Sequence, residues 1–236
     1  MIKTHRPDVD ADKYIYKTKL DFGLEFGERL RQKAVEDESY FIARANYENG
    51  LKDPWSVYEH IGLEKSRELM RRYKQIKNTY PGESPIEFRQ FYLPDEAAEE
   101  LLSITPQFLK DLSPGEPIPI FQIGDGGSVL PTHKGHKRKS SIFLLLQSND
   151  EETRWYRETE PFEIIPTTRI PDLNKIEQVV SAKIEKGNWF VFNHLEWHSV
   201  HRYGNSKRIN VGLDFDNVRA EDLVQAIKEY EKTMRV

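Results

Sequence analysis

The sequence predicts an α+β protein in which helices come first, a mainly β core follows, and a last helix covers that core. Between residues 118 and 215, short apolar runs alternate with glycine, proline and Asn/Asp clusters, the pattern of many short strands. On both sides of this block, apolar residues recur every three or four positions, as in amphipathic helices. The pattern changes at residues 113–117, Ser-Pro-Gly-Glu-Pro. We predict one unit with a mostly helical part (1–113), a β core (114–217) and a C-terminal helix (218–236).

Four helices are predicted outside the β block, and a short strand is predicted within 14–22. The helices cover 23–36, 53–80, 94–104 with a continuation near Phe108, and 220–234. The second of them has the clearest start. Asp53 can cap its first turn, and Pro54 suits the first helical position because an N–H there would be unpaired in any case.

Nine strands are predicted inside the β block. They cover 118–123, 128–130, 140–147, 153–156, 163–165, 179–184, 189–192, 199–201 and 208–215. Strands this short and this numerous favour a sandwich or a barrel, including the jelly-roll type.

Composition restricts the possible functions. The chain has 236 residues, a formal net charge of −4 and no cysteine. The charge gives no electrostatic reason to expect nucleic acid or an anionic membrane as a partner. The absence of thiols excludes disulfides, thiolate zinc sites and iron–sulfur clusters, and fits a reducing compartment. With no apolar signal segment at the N-terminus and no long apolar run, we expect a cytoplasmic protein.

Two distant segments at strand edges contain the residues that favour a metal site. His133 is followed by Gly135, His198 comes 65 residues after His133, and Arg208 comes ten residues after His198. Imidazole is a good ligand for iron, copper, nickel and zinc. Arginine presents a rigid fork that binds carboxylates through two hydrogen bonds. The ordered triple therefore predicts a metal held by two histidines beside an anion site.

Residues 118–215 resemble the Fe(II)/2-oxoglutarate-dependent oxygenases. The similarity lies in Gly-Gly-Ser-Val-Leu-Pro-Thr-His (126–133), Lys-Gly-Asn-Trp-Phe-Val-Phe-Asn (186–193), His-Ser-Val (198–200) and Arg208. The resemblance implies a double-stranded β-helix, or jelly roll, within the single catalytic unit that we predict for residues 1–236. It also implies that His133 and His198 bind Fe(II), that Arg208 binds the distal carboxylate of 2-oxoglutarate, and that O2 is the oxidant. Gln122 is a further candidate contact for 2-oxoglutarate.

The sequence departs from this family at Gly135. Most members have Asp or Glu there as a third iron ligand, whereas the halogenase branch has Ala or Gly, and chloride or bromide binds the iron instead. The resemblance thus implies a halogenase acting on an aliphatic C–H bond of a small polar substrate, such as a free amino acid. A hydroxylase that lacks the carboxylate ligand is the first alternative. A non-catalytic jelly-roll binding protein is the second.

Other residues have both a functional and an ordinary structural interpretation. Arg138 either holds an anionic co-substrate or substrate, or belongs to a solvated basic rim with its neighbours. Trp155 and Tyr156 either form a wall of the substrate pocket or are ordinary core aromatics. Asn193 and Asn210 are candidates for orienting the site, since Asn210 shares a strand face with Arg208.

The missing third ligand has two further candidates within the sequence. His136 follows the His-x-Gly step directly, and Glu196 precedes His198 by two positions. The remaining histidines near the motif, His194 and His201, are expected either around the site or at the surface.

Overall fold

The computed structural model describes most of the chain. It covers residues 1–43, 88–112, 117–124, 128–135, 138–148, 151–164, 171–202 and 206–234, together with 84–85 and single positions between 64 and 75. The helix predicted over 53–80 lies largely outside the described residues, and its described positions between 64 and 75 are helical.

The described elements are strands with a few helices at both ends of the chain. The strands are β1 (Ile2–Thr4), β2 (Ile15–Lys17), β3 (Ile42–Ala43), β4 (Ser84–Pro85), β5 (Phe88–Tyr92), β6 (Ile118–Gly124), β7 (Ser128–His133), β8 (Ser140–Gln147), β9 (Glu151–Glu158), β10 (Ile176–Ala182), β11 (Trp189–Asn193), β12 (Trp197–Arg202) and β13 (Arg208–Phe215). The helices are α1 (Leu24–Glu36), α2 (Asp95–Ile104), α3 (Gln107–Asp111) and α4 (Ala220–Thr233).

The strands form two sheets that are antiparallel except where β4 pairs with β7. One sheet has the order β1-β10-β9-β12-β7-β4, and the other has the order β2-β11-β8-β13-β6-β5-β3. From β6 to β13 the chain passes repeatedly from one sheet to the other, which is the arrangement of a jelly roll. The α+β class with a jelly-roll β core, expected from the sequence, is confirmed at this level.

Apolar residues cover both faces of the seven-stranded sheet. One face packs against the helices, where Leu30 of α1 and Leu223 of α4 join Val211 and other buried sheet residues in one cluster. The opposite face looks towards the second sheet, and Phe143 and Trp155 belong to the cluster between them. Because both faces of this sheet are covered, nearly every residue of β8 and β13 is buried, and apolar residues do not simply alternate with exposed polar ones along these strands. The interior between the sheets is where the candidate site lies.

Some local predictions are wrong. Glu163 and Ile164, predicted as part of a strand, are not in one, and Ile164 is 45% exposed. Prolines at 161 and 166 flank this segment, and proline cannot donate to a ladder hydrogen bond. Strands β1 and β5, each of which adds to one of the two sheets, were not predicted from the sequence. Among the described residues, no helix combines the length and the apolar character that crossing a membrane requires.

Candidate metal centre and interior site

The fold brings His133 and His198 together. His133 is the last residue of β7, His198 is the second residue of β12, and the two are direct partners in the antiparallel register. Cross-strand partners lie on the same face of a sheet, so both rings leave the sheet on one side. Their ring centroids are 4.3 Å apart. The pair expected as metal ligands is therefore adjacent, although its members are 65 residues apart in the chain.

A hydrogen bond fixes the orientation of the His198 ring. Its Nδ1 lies 2.8 Å from the backbone oxygen of Glu196, and since a carbonyl only accepts, Nδ1 is the donor. The Nε2 lone pair remains, as in a histidine that binds a metal through Nε2. Burial, and then the neighbouring His133, hold the pKa of His198 well below 6.5. The ring is thus neutral at physiological pH, which is the state that binds a metal.

Gly135 is required by the packing of the loop after β7. Its N–H donates to the backbone oxygen of His194 over 2.6 Å. A Cβ at this position would lie 2.7 Å from the His194 Cβ, 2.9 Å from the His194 oxygen and 3.0 Å from the Arg138 oxygen. Two of these three neighbours are backbone atoms, which cannot move aside cheaply. The missing carboxylate therefore has a packing explanation besides the one that the resemblance implies.

Gly135→Ala should destabilise the protein. The added methyl group forces the loop away from His194, and overpacking of this kind costs about 1–3 kcal/mol. Urea denaturation at neutral pH measures the free energy of unfolding, with Lys139→Ala in the same segment as the control. The control should stay within about 0.5 kcal/mol of wild type, because the Lys139 side chain is a surface group. Equal stability of Gly135→Ala and wild type would contradict the close packing.

Replacing Gly135 by Asp meets the same obstacle. The substitution adds the same Cβ, so a carboxylate cannot enter this position without displacing backbone. Any loss of activity in Gly135→Asp would combine a packing defect with a change of ligands.

No third metal ligand joins the two histidines within the described part of the chain. There is no group of three or more His, Asp or Glu side chains placed to share a metal among those residues. His136 lies outside the described residues. Glu196 contributes its backbone oxygen to His198, and burial raises the pKa of its carboxyl group. Among the described residues, the two imidazoles are therefore the side chains at this place that could bind a metal.

His194 and Asn193 hold the turn between β11 and β12 in place. The Asn193 side chain donates to the backbone oxygen of Lys13 over 2.8 Å and accepts from the N–H of Leu195 over 2.9 Å. The His194 Nε2 lies 2.8 Å from the Ser141 Oγ. The His194 ring centroid is 5.8 Å from that of His198, and burial is the largest cause of its lowered pKa. Asn193 therefore fixes the turn that leads to His198, and a role in orienting the site stays a prediction.

Arg208 lies inside the jelly roll, but it already has a carboxylate partner. Its guanidinium is 5.5 Å from the centre of the Phe143 ring and forms an ion pair with Glu151. The side chains of Arg208 and Glu151 are 7% and 0% exposed. The contact lacks hydrogen-bond alignment, since both Glu151 oxygens and the Arg208 Nε have no hydrogen-bond partner among the described residues. Glu151 is therefore paired with the arginine to which the resemblance assigns the distal carboxylate of 2-oxoglutarate.

Further buried polar groups extend from this ion pair towards the histidines. Glu151, Thr153 and Trp155 alternate as the buried residues of β9, so they share the inner face. Trp155 is the cross-strand partner of His198. Within the described part of the chain, the Thr153 hydroxyl and the Trp155 indole N–H have no hydrogen-bond partner.

The facing strands contribute amide groups to the same interior. Asn210 is fully buried, and both polar atoms of its amide lack a partner among the described residues. It lies opposite Gln122 in the register of β13 and β6, and the Gln122 side chain is also buried. Unpaired buried polar atoms are costly, so a concentration of them indicates a ligand or ordered water. The predicted residues Gln122, Trp155, Arg208 and Asn210 therefore lie in one interior.

The side chains of two predicted residues contact other groups. The Arg138 Nη1 contacts both carboxylate oxygens of the buried Asp214 at 3.0 and 3.1 Å, so its charge is used within the protein. Tyr156 follows Trp155 directly in β9 and therefore points to the opposite face. Its hydroxyl is 2.9 Å from the Ser199 Oγ. Glu151 and Thr153 were missed, although their period-two spacing to Trp155 is visible in the sequence.

His201 makes the folded state sensitive to acid. Burial, and then the Arg154 charge, lower its pKa from 6.5 to about 4, while Glu152 opposes the shift. As the pH falls from 6.5 towards 4, the unfolded chain gains a proton that the folded chain does not bind, so stability is lost over this interval. The contribution is about 2–3 kcal/mol after allowance for solvent screening. Urea denaturation at pH 7 and 4.5 should show a smaller difference for His201→Gln than for wild type, and an equal difference would contradict this.

Comparison with known proteins gives only distant structural similarity. No protein-family model matches the chain, and no curated protein matches its sequence. Vicilin from Corylus avellana (hazelnut) aligns with 60% of this chain at 13% identity and a TM-score of 0.33. Escherichia coli ycfD aligns with 63% at 9% identity and 0.36, and vicilin from Capsicum annuum with 58% at 12% identity and 0.33. The matched regions span only 33%, 39% and 31% of those chains. The fold assignment therefore rests on the strand order itself.

Proposed function

We propose that this protein is a non-heme Fe(II)-dependent oxygenase that uses a 2-oxo acid co-substrate, with His133 and His198 as its protein ligands. The supporting observation is the register pairing of these residues, whose ring centroids lie 4.3 Å apart. Imidazole suits Fe(II), and within the described part of the chain no third protein ligand takes the positions that a bidentate co-substrate and O2 need. When bound, the iron and the co-substrate would supply the activated oxygen needed to attack an unactivated C–H bond.

The residues around the histidines support this function in three ways. The Glu196 carbonyl holds His198 in one tautomer and one orientation. Trp155 and Phe192, whose ring centroids are 5.2 Å apart, place buried aromatic side chains beside His198. The unpaired groups on β9 and β13 offer hydrogen bonds to a polar molecule lying between the sheets. The chain thus supplies ligands, orientation and a shielded interior.

Halogenation of an aliphatic C–H bond is the reaction that we propose for this centre. A halide can take the coordination position that a carboxylate fills in most members of the resembling family. Hydroxylation is the alternative, because Gly135 is also explained by its close contact with His194. The geometry of the substrate relative to the metal decides between the two products.

Product analysis tests this function. The iron-loaded protein is incubated with 2-oxoglutarate, O2 and a panel of small polar substrates including free amino acids, with and without chloride. We expect succinate from the wild-type protein, none from His198→Ala, and a chlorinated product when chloride is present. A purely hydroxylated product at saturating chloride would overturn the halogenase proposal and keep the oxygenase. No decarboxylation of either 2-oxoglutarate or 2-oxopentanoate at any concentration would count against both.

A non-catalytic jelly-roll binding protein is the second candidate, and the Arg208–Glu151 ion pair favours it. An arginine that is already neutralised attracts an anionic co-substrate less strongly. This candidate predicts that the polar interior binds a small molecule without iron. Retention of ligand binding in His133→Ala/His198→Ala, together with no succinate in wild type, would support it.

A further inference from the structure

The Glu151–Arg208 ion pair determines which ligands can bind at the Arg208 end of the interior between the two sheets. An arginine alone inside a jelly roll is an anion site, because its fork matches a carboxylate. Here the Glu151 carboxylate lies against Arg208, and its side chain is completely buried. Together the two side chains carry no net charge. A ligand carboxylate entering this end would have to displace Glu151 or lie beside it.

The groups around the pair favour a different kind of ligand. Both Glu151 oxygens lack hydrogen-bond partners among the described residues, and so do the Thr153 hydroxyl and the Asn210 amide. These atoms offer several acceptors for a ligand that donates hydrogen bonds. A second carboxylate would instead place two negative charges against one arginine, in surroundings where water cannot screen them.

We propose that Glu151 is a specificity-determining residue that turns the Arg208 end of the interior from an anion site into a site for an uncharged or cationic group. The inference rests on the proposed function, because it concerns the co-substrate of that site. A 2-oxo acid would enter with its keto acid end towards His133 and His198 and its distal end towards Glu151. An acid with a distal carboxylate is then the weaker ligand.

Binding measurements with two matched acids test this inference. The probes are 2-oxoglutarate and 2-oxopentanoate, which has the same five-carbon chain without the distal carboxylate. Both are titrated calorimetrically into Mn(II)-loaded protein, since manganese occupies such sites without turnover. The proteins are wild type, Glu151→Gln, and Glu152→Gln as the control. Glu152 is the next residue of β9, and its side chain pairs with Arg154 instead of Arg208.

Wild type and Glu152→Gln should bind 2-oxopentanoate at least as tightly as 2-oxoglutarate. Glu151→Gln releases Arg208, and a hydrogen-bonded charge pair with the ligand should then tighten 2-oxoglutarate binding about 10- to 100-fold. Its affinity for 2-oxopentanoate should change by less than about threefold, because that acid has no charge at its distal end.

Two outcomes would overturn the inference. One is a wild-type protein that prefers 2-oxoglutarate to 2-oxopentanoate by more than about tenfold, which is 1.4 kcal/mol. The other is an unchanged preference in Glu151→Gln. The wild-type comparison needs no variant, so it decides the matter even if the unpaired Arg208 prevents Glu151→Gln from folding. If neither acid binds wild type or variant, the 2-oxo acid function itself is lost, and the inference with it.

Discussion

His198→Ala should lower the affinity of the protein for Fe(II) by at least about 100-fold, since even residues that only orient metal ligands affect affinity 10- to 100-fold. The effect is large because the centre offers only two imidazoles within the described part of the chain. Removing one leaves His133 alone to hold the metal. His133→Ala should behave in the same way.

Anaerobic calorimetry with Fe(II) measures this loss directly. His5→Ala is the matched control, because His5 is exposed and contacts Ser181 and Gln178, away from the two ligands. We expect the control to bind iron like wild type. If His198→Ala bound Fe(II) with wild-type affinity, the pairing of the two rings would have a purely structural role.

Arg138→Met should lower the free energy of unfolding by about 3 kcal/mol, because removing one member of a buried ion pair leaves the other charge in the protein interior. Asp214 is 2% exposed and faces the Arg138 guanidinium, which is 20% exposed. Urea denaturation at pH 7 provides the measurement. Arg29→Met is the control, because the Arg29–Glu100 pair is 57% and 47% exposed. Such a surface pair is worth less than about 1 kcal/mol.

The same variant separates two roles of Arg138. If Arg138 held an anionic co-substrate, Arg138→Met would keep its stability and lose affinity for the 2-oxo acid. That result would contradict the ion pair as the main role of this side chain.

Local sequence pattern was enough for most of the core. The strands β6 to β13 and the helices α1, α2 and α4 were recognised because each has its own apolar pattern and is bounded by glycine, proline or polar residues. The short strands β1 and β3 were not, since pairing with β10 and β5 defines them, and a partner in another part of the chain has no local signal. Strand β9 was predicted to begin at 153, so Glu151 fell outside the predicted strand.

For the candidate site, too, local motifs could be predicted and contacts between distant segments could not. The positions of His133, His198 and Arg208 follow from motifs, and the pairing of the two histidines follows from the jelly-roll strand order. The Glu151–Arg208 pair joins strands of different sheets, and the closeness of Gly135 to His194 joins two loops. Neither contact can be read from spacing along the chain. The first contact neutralises the charge of Arg208. The second gives a packing reason for a glycine at position 135.

The most direct test of the central claim, that His133 and His198 hold iron with a 2-oxo acid, is an anaerobic titration of the apoprotein with Fe(II) and 2-oxoglutarate followed in the visible. Wild type and Glu151→Gln are compared, each with and without chloride. We predict a charge-transfer band in both proteins, at lower 2-oxoglutarate concentration in the variant, that is absent from His198→Ala and shifts with chloride. No band in either protein, with Fe(II) bound no more tightly than by His133→Ala/His198→Ala, would contradict the account.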